Sequence, residues 1–133
     1  MENLLHQVAL SLIEGVGPIT ARLLLAHFGD ARSVFEARPR ELVAFSGITD
    51  PIARCIAQGQ ALRLAERELH WLERYQITPL FIQDQAYPER LRRIDQAPII
   101  LYYRGSSPFN NLRTVGIIGT RQPSTEGMVN VER

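Results

Sequence analysis

The stretch Arg113-Thr-Val-Gly-Ile-Ile-Gly-Thr-Arg-Gln-Pro-Ser-Thr-Glu-Gly127 decides the predicted fold of this 133-residue chain. Its apolar and largely β-branched part, Val115 to Ile118, is typical of a strand buried on both faces of a sheet. Gly119 ends that strand and allows backbone amides to approach a ligand closely. We therefore predict a strand, a glycine turn and a helix start, arranged as a phosphate-binding edge at the carboxyl end of a parallel sheet.

The residues around that turn carry groups that bind anions. Thr120, Ser124 and Thr125 supply hydroxyls, and Arg121 supplies a guanidinium. Ser124, Thr125 or a neighbour is suited to cap the following helix, and a helix N-terminus attracts phosphate. The predicted phosphate-binding residues are therefore Gly119, Thr120, Arg121, Ser124 and Thr125. The alternative is that Arg121 is a surface residue that pairs with an acidic neighbour.

Three blocks of this sequence follow one another in a fixed order: Tyr87-Pro88-Glu-Arg-Leu91, Pro98-Ile-Ile-Leu-Tyr-Tyr-Arg-Gly105 and Ile117 to Gly127. They resemble the "YP-x-x-L", "P-x-x-L-Y-x-x-G" and "VGSR-x-P-x-x-x-G" blocks of the DNA-processing protein A (DprA, also called Smf) family. Thr120 stands where that family usually has serine, a change that keeps the hydroxyl.

The resemblance implies the N-terminal portion of a non-enzymatic protein that binds single-stranded DNA and helps to load RecA recombinase in natural transformation. Single-stranded DNA and RecA are the implied partners, and a homodimer of the full-length protein is compatible with the resemblance. In the family, a glycine-rich segment further along supplies more of the DNA pocket. Because the chain stops six residues after Gly127, we expect it to be an N-terminal piece or a truncated product.

The bulk composition fits a globular protein, with 45% hydrophobic and 22% charged residues. No apolar run approaches the roughly 20 residues of a membrane span, and the N-terminus lacks the basic region of a signal peptide. The single cysteine, Cys55, cannot form an internal disulfide, which favours the cytoplasm. The net charge of +1 does not by itself indicate a nucleic-acid partner.

Residues 1–75 are predicted to form an all-α domain with two hairpins. The first turn, Gly15-Val-Gly17, lies between two apolar helical patterns and resembles a helix–hairpin–helix motif, with Pro18 opening the next helix and Gly29 ending it. A weaker copy follows about thirty residues later at Ser46-Gly-Ile-Thr-Asp-Pro51, where Asp50 is the predicted N-cap.

These hairpins have two interpretations. In one, the glycine turns are only tight corners or protein-contact surfaces, because residues 1–75 carry eight arginines against nine acidic residues. In the other, the first hairpin contacts DNA through Gly15, Val16 and Gly17, with Arg22 nearby.

A short connecting helix is expected over Ala31 to Glu36 and a long one from Gln60 to Tyr75, which we allow to continue from the preceding helix through Gly59. Trp71 is assigned to the core, against the next domain, in preference to the alternative of a base-stacking platform. Residues 76–133 then suggest strands at Pro79–Ile82 and Ile99–Tyr103 around a short helix at Pro88–Ile94.

The predicted fold class is therefore α+β. A tandem helix–hairpin–helix (SAM-like) domain over residues 1–75 precedes the first strands of an incomplete Rossmann-like domain over residues 76–133.

Two other functions remain open at this point. One is a Rossmann-like enzyme that binds a nucleotide or a sugar phosphate, although the sequence shows no nucleophile–base pair, no dinucleotide fingerprint and no lysine. The other is a DNA-repair scaffold that acts through its hairpins alone. The histidines and Cys55 do not have the spacing of metal ligands. We therefore expect no catalytic residue, no cofactor and no metal.

Overall fold

The structure, a computed structural model, describes residues 2–131 and is α+β overall. The helices are α1 Glu2–Ser11, α2 Pro18–Phe28, α3 Ala31–Glu36, α4 Pro39–Leu42, α5 Asp50–Ala57, α6 Gln60–Arg74, α7 Glu89–Arg92 and α8 Thr125–Val131. The strands are β1 Thr78–Phe81 and β2 Ile100–Tyr103. No helix within residues 2–131 combines the length and the apolar composition that crossing a membrane requires.

The ends of α2 and α3 follow directly from local sequence. Pro18 stands at the start of α2, and Gly29 ends it with a φ of 87° and an N–H donated to the Leu25 carbonyl at 2.9 Å. Asp30 then caps α3, because its Oδ1 accepts the Ser33 N–H at 2.8 Å. The same hydrogen bond lowers the pKa of the Asp30 carboxyl. The predicted connecting helix, Ala31–Glu36, is confirmed with both bounds.

The helical part repeats itself with an offset of 32 residues. Both turns contain a glycine in the left-handed region, and both close with the same hydrogen bond, from Val16 N to Ile13 O and from Ile48 N to Phe45 O, each 3.1 Å long. The equivalent pairs are Leu10 and Leu42, Ile13 and Phe45, Gly15 and Gly47, Val16 and Ile48, Ala21 and Ala53, and Leu24 and Ile56. The expected second hairpin is thus a residue-by-residue repeat of the first.

The helices and the sheet share one hydrophobic core. Helix α1 packs against α6 and α3, while β1 contacts α6 and β2 contacts α1. Side chains from both parts are fully buried in the same cluster, among them Val8, Leu24, Ile56 and Phe81. Burying each such side chain stabilises a fold by about 1.5–3 kcal/mol. The sheet is therefore held in place by the helical part.

The two strands pair antiparallel, with Thr78 opposite Tyr103 and Phe81 opposite Ile100. The prediction of a parallel sheet in this part of the chain is therefore wrong for β1 and β2. A parallel crossover needs a connection that carries the chain back along the strand, usually a helix. The intervening helix α7 has only four residues, about 6 Å of length, which is too short for that return.

The third predicted strand, Val115–Ile118, is also wrong. These residues have no regular secondary structure, and Val115, Ile117 and Ile118 are 87%, 85% and 97% exposed. A β-branched run becomes a strand when neighbouring strands pair with it and bury it. Residues 2–131 provide no such neighbour.

Three smaller expectations need correction. The N-cap of α5 is Thr49, and Asp50 is already helical, because Pro51 fits either of the first helical positions. Gly59 separates α5 from α6 with a φ of 66°, so the two helices are not continuous. Trp71 is not a core residue, since 48% of it is exposed.

Candidate nucleic-acid interface

The predicted phosphate-binding segment lies on an exposed connection between β2 and α8. Gly119, Thr120 and Arg121 are exposed, and the Thr120 hydroxyl donates to the Gln122 carbonyl at 2.9 Å. Arg121 forms no hydrogen bond or ion pair with any residue between 2 and 131. The alternative pairing with an acidic neighbour such as Glu126 is therefore not formed there, and the guanidinium is available to a ligand.

Ser124 caps α8 as expected, because its Oγ accepts the Gly127 N–H at 3.1 Å. The Ser124 carbonyl accepts the Met128 N–H at 3.0 Å, which closes the first turn of the helix. A serine hydroxyl that accepts one hydrogen bond can still donate its own proton. Ser124 therefore retains a donor for an anion, and Thr125 follows it at the exposed start of the helix.

The packing of the described residues does not require glycine at position 119. Its φ is not in the left-handed region, and an added Cβ would meet no atom within 4 Å. Any need for glycine at this position therefore comes from a ligand or from a partner surface that approaches the backbone closely.

Two further arginines that follow β2 are as accessible to a ligand as Arg121. Arg104, Arg113 and Arg121 are exposed, and none forms a hydrogen bond or ion pair within the part of the chain that the structure describes. The arginines of the α7 region differ, since Arg93 pairs with Glu89 at 2.6 Å and Arg92 donates to the Asp84 carbonyl. The free positive charge of residues 76–131 is thus concentrated between β2 and α8.

The first hairpin is engaged mainly by the protein itself. Gly15 adopts a φ of 82° and packs on Ile52 of α5, and Val16 lies against the core. Gly15 and Gly17 are both exposed, but at Gly17 nothing lies within 4 Å of where its Cβ would be.

Arg22 is also engaged. Its Nη1 donates to the carbonyls of Ile94 and Asp95, at 2.6 Å and 3.3 Å. These contacts favour the structural interpretation of the hairpin over DNA contact.

The Tyr87-Pro88 and Pro98–Gly105 blocks are joined by one buried hydrogen bond. Tyr87 is fully buried, and its hydroxyl donates to the Pro98 carbonyl at 2.5 Å. Burial raises the pKa of the Tyr87 phenol, so the group remains a neutral donor. The tyrosine of this block therefore holds the fold and is not available to a ligand.

Sequence reasoning missed Asn110, which fixes the same region. Its Oδ1 accepts the Glu89 N–H at 2.8 Å, and its Nδ2 donates to the carbonyls of Gln85 and Tyr87 at 3.2 Å and 3.1 Å. One side chain thus uses both of its donors and its acceptor on the turn that precedes α7. The signal in the sequence is the pair Asn110-Asn111, which ends a stretch of turn composition that begins at Ser106.

Residues 78–133 match the family described as DNA recombination-mediator protein A. The chain is 32% identical to the protein Smf of Synechocystis sp. over 130 residues, which cover 92% of this chain and 32% of Smf. It is 33% identical to the DNA processing protein DprA of Streptococcus pneumoniae over 67 residues, which cover 50% of this chain and 24% of DprA.

A shorter similarity, 41% identity over 44 residues, relates 33% of the chain to 6% of the UvrABC system protein C of Rhizobium meliloti. No solved structure gives a significant match. The chain spans about a third of the length of the Smf protein that it matches.

Proposed function

Because the chain belongs to the family of DNA recombination-mediator protein A, we propose that it is a non-enzymatic protein that binds single-stranded DNA. The family membership confirms the resemblance drawn from the three sequence blocks. We further propose that the whole protein helps to load RecA recombinase onto incoming DNA in natural transformation.

The observation that carries the DNA proposal is the free guanidinium of Arg121. It follows Gly119 directly, it is exposed, and it lies within the segment that matches the family. Arginine binds phosphate through two parallel N–H donors, a geometry that lysine cannot reproduce. Arg104 and Arg113 add positive charge on the same connection.

The remaining roles follow from the same geometry. Arg121 binds one phosphate of the strand, and the Ser124 hydroxyl donates to an adjacent phosphate oxygen. The Thr120 hydroxyl donates to a phosphate oxygen once it releases the Gln122 carbonyl. Gly119 allows the backbone of the strand to come close, and Thr125 contributes at the start of α8. Contacts of this kind hold the sugar–phosphate backbone and do not select a base sequence.

Residues 1–75 are proposed to be a helical domain of the SAM-like type, whose first hairpin has a structural role. Residues 76–133 are proposed to be the first part of a Rossmann-like domain. The family match supports this division, since it begins at residue 78. The homodimer and the RecA contact belong to the proposal for the full-length protein.

A salt series of fluorescence-anisotropy titrations with labelled oligothymidine tests the site. We expect Arg121→Ala to weaken binding about tenfold, because hydrogen bonds to charged groups contribute about 1.5–3 kcal/mol. The plot of log affinity against log salt should become less steep by about 0.7, the value for one phosphate of a single strand. Arg40→Ala, which removes an exposed arginine from α4, is the matched control.

Equal affinity and equal slope for the wild type and Arg121→Ala would overturn this site. The repair-scaffold alternative predicts that outcome together with a loss of binding in hairpin variants.

A further inference from the structure

Helix α6 presents its arginines and its tryptophan on one face. At about 100° per residue, Arg63, Arg67 and Arg74 lie within roughly 80° of Trp71 around the helix axis. The opposite side of the helix faces the core through buried residues such as Ala65. The exposed face is therefore both cationic and aromatic.

The glutamates of α6 are distributed differently. Glu66 and Glu73 lie about 140–160° away from Trp71, and only Glu68 is on its side, at about 60°. The face around Trp71 thus carries three guanidinium groups and one carboxylate. Its charge is positive although the helix as a whole is neutral.

Trp71 and Tyr75 form an exposed aromatic pair at the end of this face. They are 48% and 44% exposed, and their ring centroids lie 4.8 Å apart. The guanidinium carbon of Arg74 lies 5.8 Å from the centroid of the Tyr75 ring. Large aromatic residues that remain half exposed beside cations provide stacking surfaces for nucleobases.

A groove beside Trp71 completes the surface. It has a volume of about 520 Å³ and is lined by Leu12, Leu64, Arg67, Glu68 and Trp71. Among residues 2–131, Arg67 has no hydrogen-bond or ion-pair partner. The same is true of Arg63, which lies one turn away and lines an adjacent pocket that shares Leu64 and Arg67 with the groove.

We propose that this face of α6 is a second contact for single-stranded nucleic acid, separate from Arg121. A base stacks on Trp71, and Arg63 and Arg67 bind phosphates on the N-terminal side of it. The class of ligand in this inference rests on the proposed function. The location of the contact is argued from α6, its C-cap Tyr75 and the groove beside Trp71. The unpaired guanidiniums favour a polyanion over a second copy of this chain or an apolar peptide.

Trp71 is the single tryptophan of the chain, so its fluorescence reports this site directly. We expect oligothymidine to quench the Trp71 emission of the 133-residue chain on titration. An abasic oligonucleotide of equal length has the same phosphates without bases, and it should quench much less.

Two substitutions separate the phosphate contact from the stacking contact. Arg67→Ala should weaken the binding seen through Trp71 quenching about tenfold, whereas Arg40→Ala should not. Trp71→Leu should weaken binding of a labelled oligonucleotide about tenfold, and Trp71→Phe should restore most of it because a ring remains. Circular dichroism of each variant checks that the helices are retained.

The outcomes separate this site from the Arg121 site. Quenching that depends on Arg67 and survives Arg121→Ala supports the α6 contact, even if Arg121 does not bind DNA. A rise in anisotropy without any Trp71 quenching overturns the α6 contact and leaves the proposed function intact, whereas no binding in either measurement overturns both. A Trp71 emission that shifts with protein concentration alone, with a dimer mass by light scattering, assigns the face to a second copy instead.

Discussion

Gly15 lies so close to Ile52 that a β-carbon at position 15 would be 2.9 Å from the Ile52 Cδ1 atom. The repeat forms the reciprocal contact, because a β-carbon at Gly47 would be 2.9 Å from the Thr20 Oγ1 atom. Thr20 and Ile52 are themselves 32 residues apart. Each turn therefore packs on the helix that follows the other turn.

Alanine at either turn should destabilise the fold. Gly15 and Gly47 have φ values of 82° and 89°, a region that costs a residue with a β-carbon about 1–2 kcal/mol. The close atoms belong to side chains that can move, so backbone strain is the larger effect. We expect Gly15→Ala and Gly47→Ala each to lower the free energy of unfolding by that amount in urea titrations.

Gly17→Ala is the matched control for the first turn. Gly17 has a φ of −81° and open space around it, so alanine should leave stability nearly unchanged. A loss as large as that of Gly15→Ala would contradict this account. Weaker DNA binding without a loss of stability would instead identify Gly17 as a contact.

Arg22→Ala should affect stability and leave DNA binding unchanged. The substitution removes the hydrogen bonds from α2 to the carbonyls of Ile94 and Asp95, which contribute about 1 kcal/mol in such settings. The free energy of unfolding and the affinity for oligothymidine are measured on the same preparation. If binding weakens by more than about tenfold, the first hairpin contacts DNA and the structural interpretation is wrong.

Tyr87→Phe should destabilise the chain by about 1–2 kcal/mol at neutral pH, because it leaves the Pro98 carbonyl without its 2.5 Å donor. It should also reduce the pH dependence of stability in alkali. Burial raises the pKa of Tyr87 above its ordinary 10.0, so the folded state holds the proton more tightly. The contribution of the protonated Tyr87 phenol to the free energy of unfolding is fully present below pH 10, and it is lost as the pH rises through the folded-state pKa.

Chemical denaturation between pH 9 and 11 measures this effect. The pKa of Tyr102 is also raised, chiefly by burial and then by Glu68, so Tyr87→Phe should remove only part of the slope. A slope that is the same in both proteins would show that the Tyr87 phenol does not contribute.

A fragment of residues 1–75 should fold as a helical unit. Helix α1 contacts both α3 and α6 within it, and both hairpins are complete. The fragment loses the acceptors of Arg22 and the hydrogen bond from Gln83 to Gly29, so its thermal midpoint should lie below that of the whole chain. Circular dichroism tests this, and an unfolded spectrum in buffer would contradict the proposed domain division.

The helices were predictable because their signals are local. Proline at position 18 and glycine at position 29 set the ends of α2, and an aspartate before Ala31 set the start of α3. Gln60 to Tyr75 was predicted within one residue of the observed Gln60–Arg74. Each of these boundaries depends on groups within a turn of the boundary itself.

The sheet was less predictable because strands depend on distant partners. The apolar run at Val115–Ile118 has the composition of a buried strand, yet composition does not supply the neighbouring strand that must pair with it. The antiparallel orientation of β1 and β2 depends on the shortness of α7. That helix was predicted over Pro88–Ile94, which is longer than the observed Glu89–Arg92.

The candidate site was predictable only in part. The Ser124 cap followed from its place before a helix. The exposure of Trp71 did not follow from the sequence, because a tryptophan at helical spacing is as compatible with the core as with the surface.

The three hydrogen bonds of Asn110 impose an order on biosynthesis. Asn110 lies 21 residues after Glu89 and 25 after Gln85, the groups that it joins. A ribosome therefore exposes the whole helical part, β1 and β2 before the turn ahead of α7 can acquire these bonds. The native turn is therefore completed on a scaffold that has already emerged.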